Sequence, residues 1–269
     1  MNMAVYLPTE QLRPFIKTYR IIESQDELVN RVLPETSLAI AFRYKGQVNY
    51  ITDYAADNFQ ITRNSSVIQS LPVAAISGLR TSVRLINYLK DTATIIIIFK
   101  EGGASAFFKD PLHELFGKSV TLDNFISVQK ISIVEEQLAE ANHNDQRIAI
   151  IEDFLLSLYN PKTDKLISNA IQKIYSTNGL IQMKTLADHS CSSQDAFEKR
   201  FRKFIGTSPK QFSSIVRMKS VISNPERQIQ NFTETAFKAG YFDQSHFNKD
   251  FKRFTGLSPT DFFKSSTYW

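Results

Sequence analysis

The sequence predicts an α+β chain in two parts: a β-rich N-terminal half, read as a barrel or sandwich with helices at its end, and an all-α C-terminal part. Three observations predict it. Up to about residue 100, short runs rich in β-branched and aromatic residues are separated by turn residues, and several alternate apolar with polar. Beyond that point the apolar period lengthens to that of helices. Near the C-terminus two stretches almost repeat, "GTSPKQF" at 206–212 and "GLSPTDF" at 256–262. Each follows a Phe-bearing run, "FEKRFRKF" (197–204) and "FNKDFKRF" (247–254). A repeat of this kind marks two copies of one structural unit.

The predicted strands are "FIKTYRII" (15–22), "SLAIAFRY" (37–44), "GQVNYI" (46–51), "SVIQSL" (66–71), "SVRLINY" (82–88) and "TIIIIF" (94–99). Many short strands at modest spacing suit a sandwich or barrel. Gly102 and Gly103 mark the change of pattern, and helix is expected from about 104. Two amphipathic runs follow at 129–141 and 146–159, the second with Ile148, Ile151, Phe154, Leu155 and Leu158 on one stripe. In "YNPKTD" (159–164), Pro161 disfavours helix at Asn160, and Thr163 is placed to cap the next helix. This divides the chain into 1–160 and 161–269.

Charge follows the same division. Residues 162–269 hold 17 Lys or Arg against 9 Asp or Glu, while the other 161 residues hold 15 against 18. A basic part joined to a mildly acidic one points to a polyanionic partner for the C-terminal part. The chain has one cysteine, Cys191, which excludes an intramolecular disulfide framework and fits a reducing compartment. No apolar run approaches the roughly 18 residues of a membrane span, and the N-terminus lacks the apolar stretch of a signal peptide. The expectation is a soluble, cytoplasmic protein with no membrane partner.

In the C-terminal part, helix starts are expected after Ser193, Ser208, Asp243 and Ser258. A serine or aspartate oxygen satisfies a free N–H of the first turn, and Pro209 and Pro259 stand where a missing N–H costs nothing. Gln211 completes a capping box with Ser208. Gly206 and Gly256 stand where the preceding helix ends in a left-handed residue. Each near-repeat therefore spells one instruction: end a helix at Gly, turn, start another at Ser-Pro.

Ahead of each glycine, Phe197, Phe201 and Phe204, and likewise Phe247, Phe251 and Phe254, stand at i, i+4 and i+7 and set a buried face. A short helix precedes each, "MKTLADH" (183–189) and "FTETAFKA" (232–239), joined by the turns "SCSS" and "GYFD". Small residues, Ala187 and Ala236, let the paired helices cross closely. Two helices joined this way describe a helix-turn-helix, repeated once.

These residues resemble the double helix-turn-helix DNA-binding domain of AraC/XylS-type transcriptional regulators. The resemblance covers about 163–265 and is best in "AFKAGYFDQSHFNKDFKRFTGLSPTDF" (236–262); "LADHSCSSQDAFEKRFRKFIGTSPKQF" (186–212) follows it more loosely. Three positions depart from the family pattern. Cys191 stands where the turn usually has Gly, Thr235 where an aliphatic residue is common, and Pro225 should stop the linker helix of "RMKSVISNPERQ" (217–228) early. The N-terminal half is similar, less specifically, to the β-rich, distantly cupin-like domain that precedes this module in a group of bacterial regulators. "LPTEQLRPFIKTYRI" and "FKDPLHELFGKSVTLD" (108–123) carry that similarity.

The resemblance implies double-stranded DNA as partner, with base-reading positions Asp195, Glu198 and Lys199 in the first copy and Gln244, Ser245 and Lys249 in the second. His246 and Asn248 flank them. Gln pairs with adenine, Lys reaches guanine, and acidic side chains accept from cytosine. Arg202, Lys203, Lys252 and Arg253 are assigned to phosphates, which position without reading. Ala187, Phe197, Phe201, Gly206 and Pro209, with Ala236, Gly240, Phe247, Phe251, Gly256 and Pro259, form the structural motif. The resemblance leaves room for a small-molecule effector and for a homodimer.

Two rival classes fit the residues less well. An enzyme gains little support: His113, His143, His189 and His246 are far apart, with no HExxH or Cys-x-x-Cys spacing, so no catalytic residue, metal or cofactor is assigned. Arg80 and Arg84 suit an anionic effector or, more commonly, a solvated strand face. A protein-interaction scaffold would use the helices at 129–159, whose apolar stripe equally suits packing on their own sheet.

Overall fold

The computed structural model describes residues 1–52, 67–161, 163–189, 193–223 and 232–264. Its N-terminal part contains β1 (Asn2–Tyr6), β2 (Ile16–Ser24), β3 (Leu28–Val32), β4 (Ala39–Lys45) and β5 (Val48–Thr52). Then come β6 (Val67–Ser70), β7 (Ala74–Ser77), β8 (Arg84–Tyr88), β9 (Thr92–Phe99) and β10 (Ser119–Thr121). They form two antiparallel sheets, ordered β1-β2-β9-β4-β7-β10 and β3-β8-β5-β6.

The central strand β9 shows how the pattern places both sheets. Ile95, Ile97 and Phe99 are fully buried in the main core, while Ile96, on the opposite face, packs with Ile22, Val48, Ile86 and Tyr88 of a second cluster. Because successive strand side chains alternate faces, "TIIIIF" supplies both layers at once. Register follows, with Ile21 opposite Ile95 and Ile40 opposite Ile97.

All six predicted strands are present. β1, β3, β7 and β10 were not read from the sequence, and helix does not begin at 104. Instead 3-10 turns at Gly103–Ala106, Leu112–Leu115 and Leu122–Asn124 frame the edge strand β10, and regular helix starts only at α1 (Val128–Glu140). Ala104, Leu112, Leu115 and Leu122 of these turns are buried in the main core. α2 (Asn144–Leu158) follows. Its predicted stripe faces the first sheet, with Ile151, Phe154 and Leu155 buried and the Phe154 ring 5.5 Å from Phe42. A carboxylate, Glu152, lies on this same buried face. It accepts from the Thr9 backbone N–H at 2.9 Å and the Tyr19 hydroxyl at 3.1 Å, which satisfies it out of water.

Two further expectations are corrected. The helix after "YNPKTD" is capped by Asp164, not Thr163: its carboxylate accepts from the Ile167 N–H at 3.2 Å. A carboxylate at the positive end of a helix gains a charge term that a threonine hydroxyl lacks. Arg80 and Arg84 do not line a solvated strand face. Arg80 donates to the carbonyls of Val32 (2.9 Å) and Leu33 (3.2 Å); Arg84 donates to Ser119 Oγ and, at 3.1 Å, to the Gly117 carbonyl. Burial, with the Arg84 charge beside it, lowers the Arg80 pKa to about 9, so it stays charged at neutral pH.

The C-terminal helices are α3 (Lys165–Ser176), α4 (Met183–Asp188), α5 (Gln194–Ile205), α6 (Pro209–Ile222), α7 (Phe232–Lys238), α8 (Gln244–Thr255) and α9 (Pro259–Lys264). α6 ends at Ile222, with Ser223 as its C-cap. The main hydrophobic core runs without a break from the first sheet through these helices. Polar contacts cross with it. The Tyr175 hydroxyl of α3 meets Thr36 Oγ1 at 2.9 Å and Glu101 Oε1 at 2.5 Å, and Lys219 of α6 pairs with Glu35. The Val83 N–H donates to the Arg253 carbonyl of α8 at 3.1 Å. Among the described residues no helix is long and apolar enough to cross a membrane.

Candidate nucleic-acid interface

The repeat builds two helix pairs, α4–α5 and α7–α8, each followed by a capped third helix. Ser193 Oγ accepts from the Ala196 N–H at 3.3 Å, and Asp243 Oδ1 accepts from the His246 N–H at 2.7 Å. Ser208 and Ser258 cap α6 and α9 through the Gln211 and Asp261 N–H groups, both at 3.2 Å. The Gln211 carboxamide oxygen accepts in turn from the Ser208 N–H at 3.2 Å, closing the capping box. Gly206 (φ 94°) and Gly256 (φ 82°) end α5 and α8 in the left-handed region, where a Cβ would be strained.

Inside each pair the phenylalanines pack as their spacing requires. Phe197 and Phe201 have ring centroids 5.9 Å apart and Phe247 and Phe251 5.6 Å apart, and all four are buried. Ala187 and Ala236 are buried where the short helices cross the longer ones. The third phenylalanine differs between copies. Phe254 is buried, whereas Phe204 is only partly covered and lies against the backbone at Gly102 of the N-terminal part.

The opposite face of each long helix is polar. Asp195 and Lys199 of α5 are exposed, as are Ser245 and Lys249 of α8. Glu198 is half-buried and paired with Arg202 at 2.6 Å, so a proposed reader and a proposed phosphate ligand hold each other. Gln244 is also partly covered and accepts from Thr233 Oγ1 at 2.6 Å, which fixes its side chain across the turn. Lys203 and Arg253 are exposed and Lys252 is partly covered; Arg253 pairs with Asp250 at 3.0 Å. His246 and Asn248 stand beside them, with the His246 ring 3.7 Å from Asp250. Cys191 and Pro225 lie outside the described residues. Thr235 is buried, in the place where the family pattern has an aliphatic side chain.

Two features escaped the sequence reading. Arg200, on α5 beside Lys199, makes a bidentate pair with the capping Asp164 at 2.6 and 3.0 Å, tying the first long helix to the start of α3. Nothing local in the sequence joins residues so far apart. The second is Phe242, in the turn before α8, which is 88% exposed. Its chain neighbour Tyr241 is buried instead, under the Arg217 guanidinium, which lies 4.5 Å from the ring centroid. Among the described residues no three His, Cys, Asp or Glu side chains gather as a metal-binding set.

Comparison with known proteins adds to this geometry. A family described as a helix-turn-helix domain matches residues 186–265, and a domain of unknown function (DUF6597) matches residues 4–121. An uncharacterized HTH-type transcriptional regulator of Haemophilus influenzae is 32% identical over 83 residues, which is 31% of this chain and 28% of that protein. The Msm operon regulatory protein of Streptococcus mutans is 28% identical over 185 residues, covering 66% of this chain and 63% of its own. The chain thus matches less than two thirds of the length of either relative. ToxT from Vibrio cholerae resembles the whole outline remotely, at 12% identity over 97% of each chain with a TM-score of 0.45. Residues 186–265 form a helix-turn-helix domain, carried behind a β-rich N-terminal region that matches a domain of unknown function.

Proposed function

We propose that this chain is a sequence-specific DNA-binding transcriptional regulator, in which α5 and α8 read two adjacent major-groove segments. One observation carries the reading: a capped, phenylalanine-anchored helix with a polar outer face occurs twice in one chain, in its basic part. Successive major-groove faces on one side of B-DNA lie about 34 Å apart. A chain with two reading heads engages an asymmetric site without a two-fold partner. In this reading, residues 161–269 are the DNA-binding domain and residues 1–160 a sensing or dimerising domain, in a cytoplasmic protein.

Within it, Asp195, Lys199, Ser245 and Lys249 face bases directly. Glu198 and Gln244 reach them once their present partners, Arg202 and Thr233, are exchanged for DNA groups. Arg202, Lys203, Lys252 and Arg253 meet phosphates. A small-molecule effector held by the N-terminal part would act on the helices through the contacts that join the two parts. Tyr175 with Thr36 and Glu101, and Lys219 with Glu35, give the N-terminal part a mechanical hold on the helices.

The test is binding-site selection from random duplexes with the full chain, followed by a salt titration on the enriched duplex. Each phosphate contact contributes about −0.9 to the slope of log K against log salt, so five or more contacts give a slope steeper than about −4. Failure to enrich any sequence, or an affinity indifferent to salt, overturns the reading.

A further inference from the structure

Phe242 is the most exposed large hydrophobic side chain among the described residues, at 88%. Leaving a phenylalanine in water forgoes a substantial burial energy, so its place in the fold calls for an explanation. It stands directly before Asp243, the N-cap of α8. An apolar residue at that position commonly staples onto the fourth residue of the helix, here Phe247. That site is taken: the Phe247 ring is fully buried and packs against Tyr241 (5.4 Å) and Phe251 (5.6 Å). Tyr241 does the stapling, and Phe242 is left outside the core.

Its surroundings are those of the reading head. Ser245 and Lys249, exposed on α8, begin within the next turn of chain, and the helix N-terminus adds free N–H groups and a partial positive charge that favour phosphate nearby. The Asp243 carboxylate, the one acidic group beside it in the chain, is engaged with the His246 N–H. In the first copy the residue before the cap Ser193 is Ser192, a small polar residue. The apolar group is therefore specific to the second copy. The one apolar feature that a base pair displays in the major groove is the thymine C5-methyl, and phenylalanine is among the side chains that pack on it.

We propose that Phe242 is a specificity-determining residue that packs on the C5-methyl of one thymine in the segment read by α8. This rests on the reading of the chain as a sequence-specific DNA-binding protein. The test uses the full chain and the duplex enriched by selection, with each thymine in turn replaced by deoxyuridine, which removes the methyl and keeps the base pairing. One thymine in the α8 segment should lose about fourfold in affinity, the worth of roughly one buried methyl group. Phe242→Ala should melt as the wild type does, bind the parent duplex more weakly, and become indifferent to deoxyuridine at that position. Phe242→Leu should keep the sensitivity.

Undiminished binding by Phe242→Ala overturns the proposal. So does weaker binding by Phe242→Ala with the deoxyuridine effect still intact, because two independent losses are not one contact. If selection enriches no duplex, the DNA-binding reading fails and the proposal fails with it. Normal enrichment with an indifferent Phe242 removes the proposal alone.

Discussion

The two helix-turn-helix units share a local grammar but not a tertiary setting. α5 is held on several sides by the rest of the chain. Its Phe204 lies against Gly102, its terminal Gly206 meets the Leu112 backbone, and its Arg200 is locked to Asp164. α8 touches the N-terminal part through the Arg253 carbonyl, and its own phenylalanines, with Phe262 and Phe263 of α9, complete its core. The turns differ too. Ala187 to Phe197 spans ten steps along the chain, and Ala236 to Phe247 spans eleven, the extra residue falling in the stretch that leaves Phe242 outside. A repeat can thus build two similar helix pairs, of which the first is mechanically tied to the β-rich part and the second is more self-contained.

The largest test of this contrast removes a central ring from each unit. Phe201 packs on Phe197 and Phe212, and Phe251 on Phe247, Phe262 and Phe263. Deleting a fully buried phenylalanine costs about 3–5 kcal/mol. Phe201→Ala should lower the melting of the whole chain, because α5 is braced against the N-terminal part through Phe204 and Gly206. Phe251→Ala should produce an earlier, separate transition of the second unit. Circular dichroism melts of both variants decide; equal, single transitions would show the units to be equally coupled.

The reading faces should differ next. Lys249→Ala should weaken specific binding by about 1–3 kcal/mol and relax preference at one or two base pairs. Asp195→Ala should weaken it little, or strengthen non-specific binding by removing a charge that repels phosphate. Binding-site selection with both variants checks the ranking. A selected motif rewritten by Asp195→Ala and untouched by Lys249→Ala would reverse it.

A smaller effect is expected at the junction. Gly102 has φ +75°, and a Cβ there would run into the Phe204 ring. Gly102→Ala should cost about 1–2 kcal/mol from the left-handed backbone alone and displace Phe204. Its effect on DNA binding should fall on the base pairs read by α5. A footprint altered at the α8 segment instead would break the claim that the first unit carries the coupling.

The smallest change concerns Tyr175, which is 41% exposed and whose hydroxyl joins Thr36 and Glu101. Burial and the Glu101 carboxylate both push its pKa up, so the hydroxyl stays protonated and able to donate through neutral pH. Tyr175→Phe removes that donor at a cost of about 0.5–1.5 kcal/mol. A thermal melt of the full chain should shift by a few degrees, with DNA specificity unchanged.

The local instructions of the C-terminal part were legible in the sequence. Ser193, Ser208, Asp243 and Ser258 cap where they were expected to, because a cap is a contact between residues three apart. Phe197, Phe201, Phe247 and Phe251 are buried because helical spacing puts them on one face. The strands of "TIIIIF" and "SLAIAFRY" were equally plain, since short apolar and aromatic runs bounded by turns leave few alternatives. Short edge strands such as β3 and β10 were not, because their pairing partners supply the evidence that they are strands. The division at 160 is a reading of local chain punctuation, whereas the core that runs past it is a product of packing.

What the sequence by itself determined is the repeat, its caps and glycine stops, the buried face of each long helix, and the candidate readers on the opposite face. These depend on interactions within a few residues, which spacing encodes directly. The tertiary structure alone decided which unit is braced. It brought Arg200 to Asp164, Tyr175 to Thr36 and Glu101, and Phe204 to Gly102, across separations for which the sequence has no local signal. It also decided that Tyr241, not Phe242, would enter the core. Both are aromatic and adjacent, and only the space already occupied around Phe247 settles which of them is left in water.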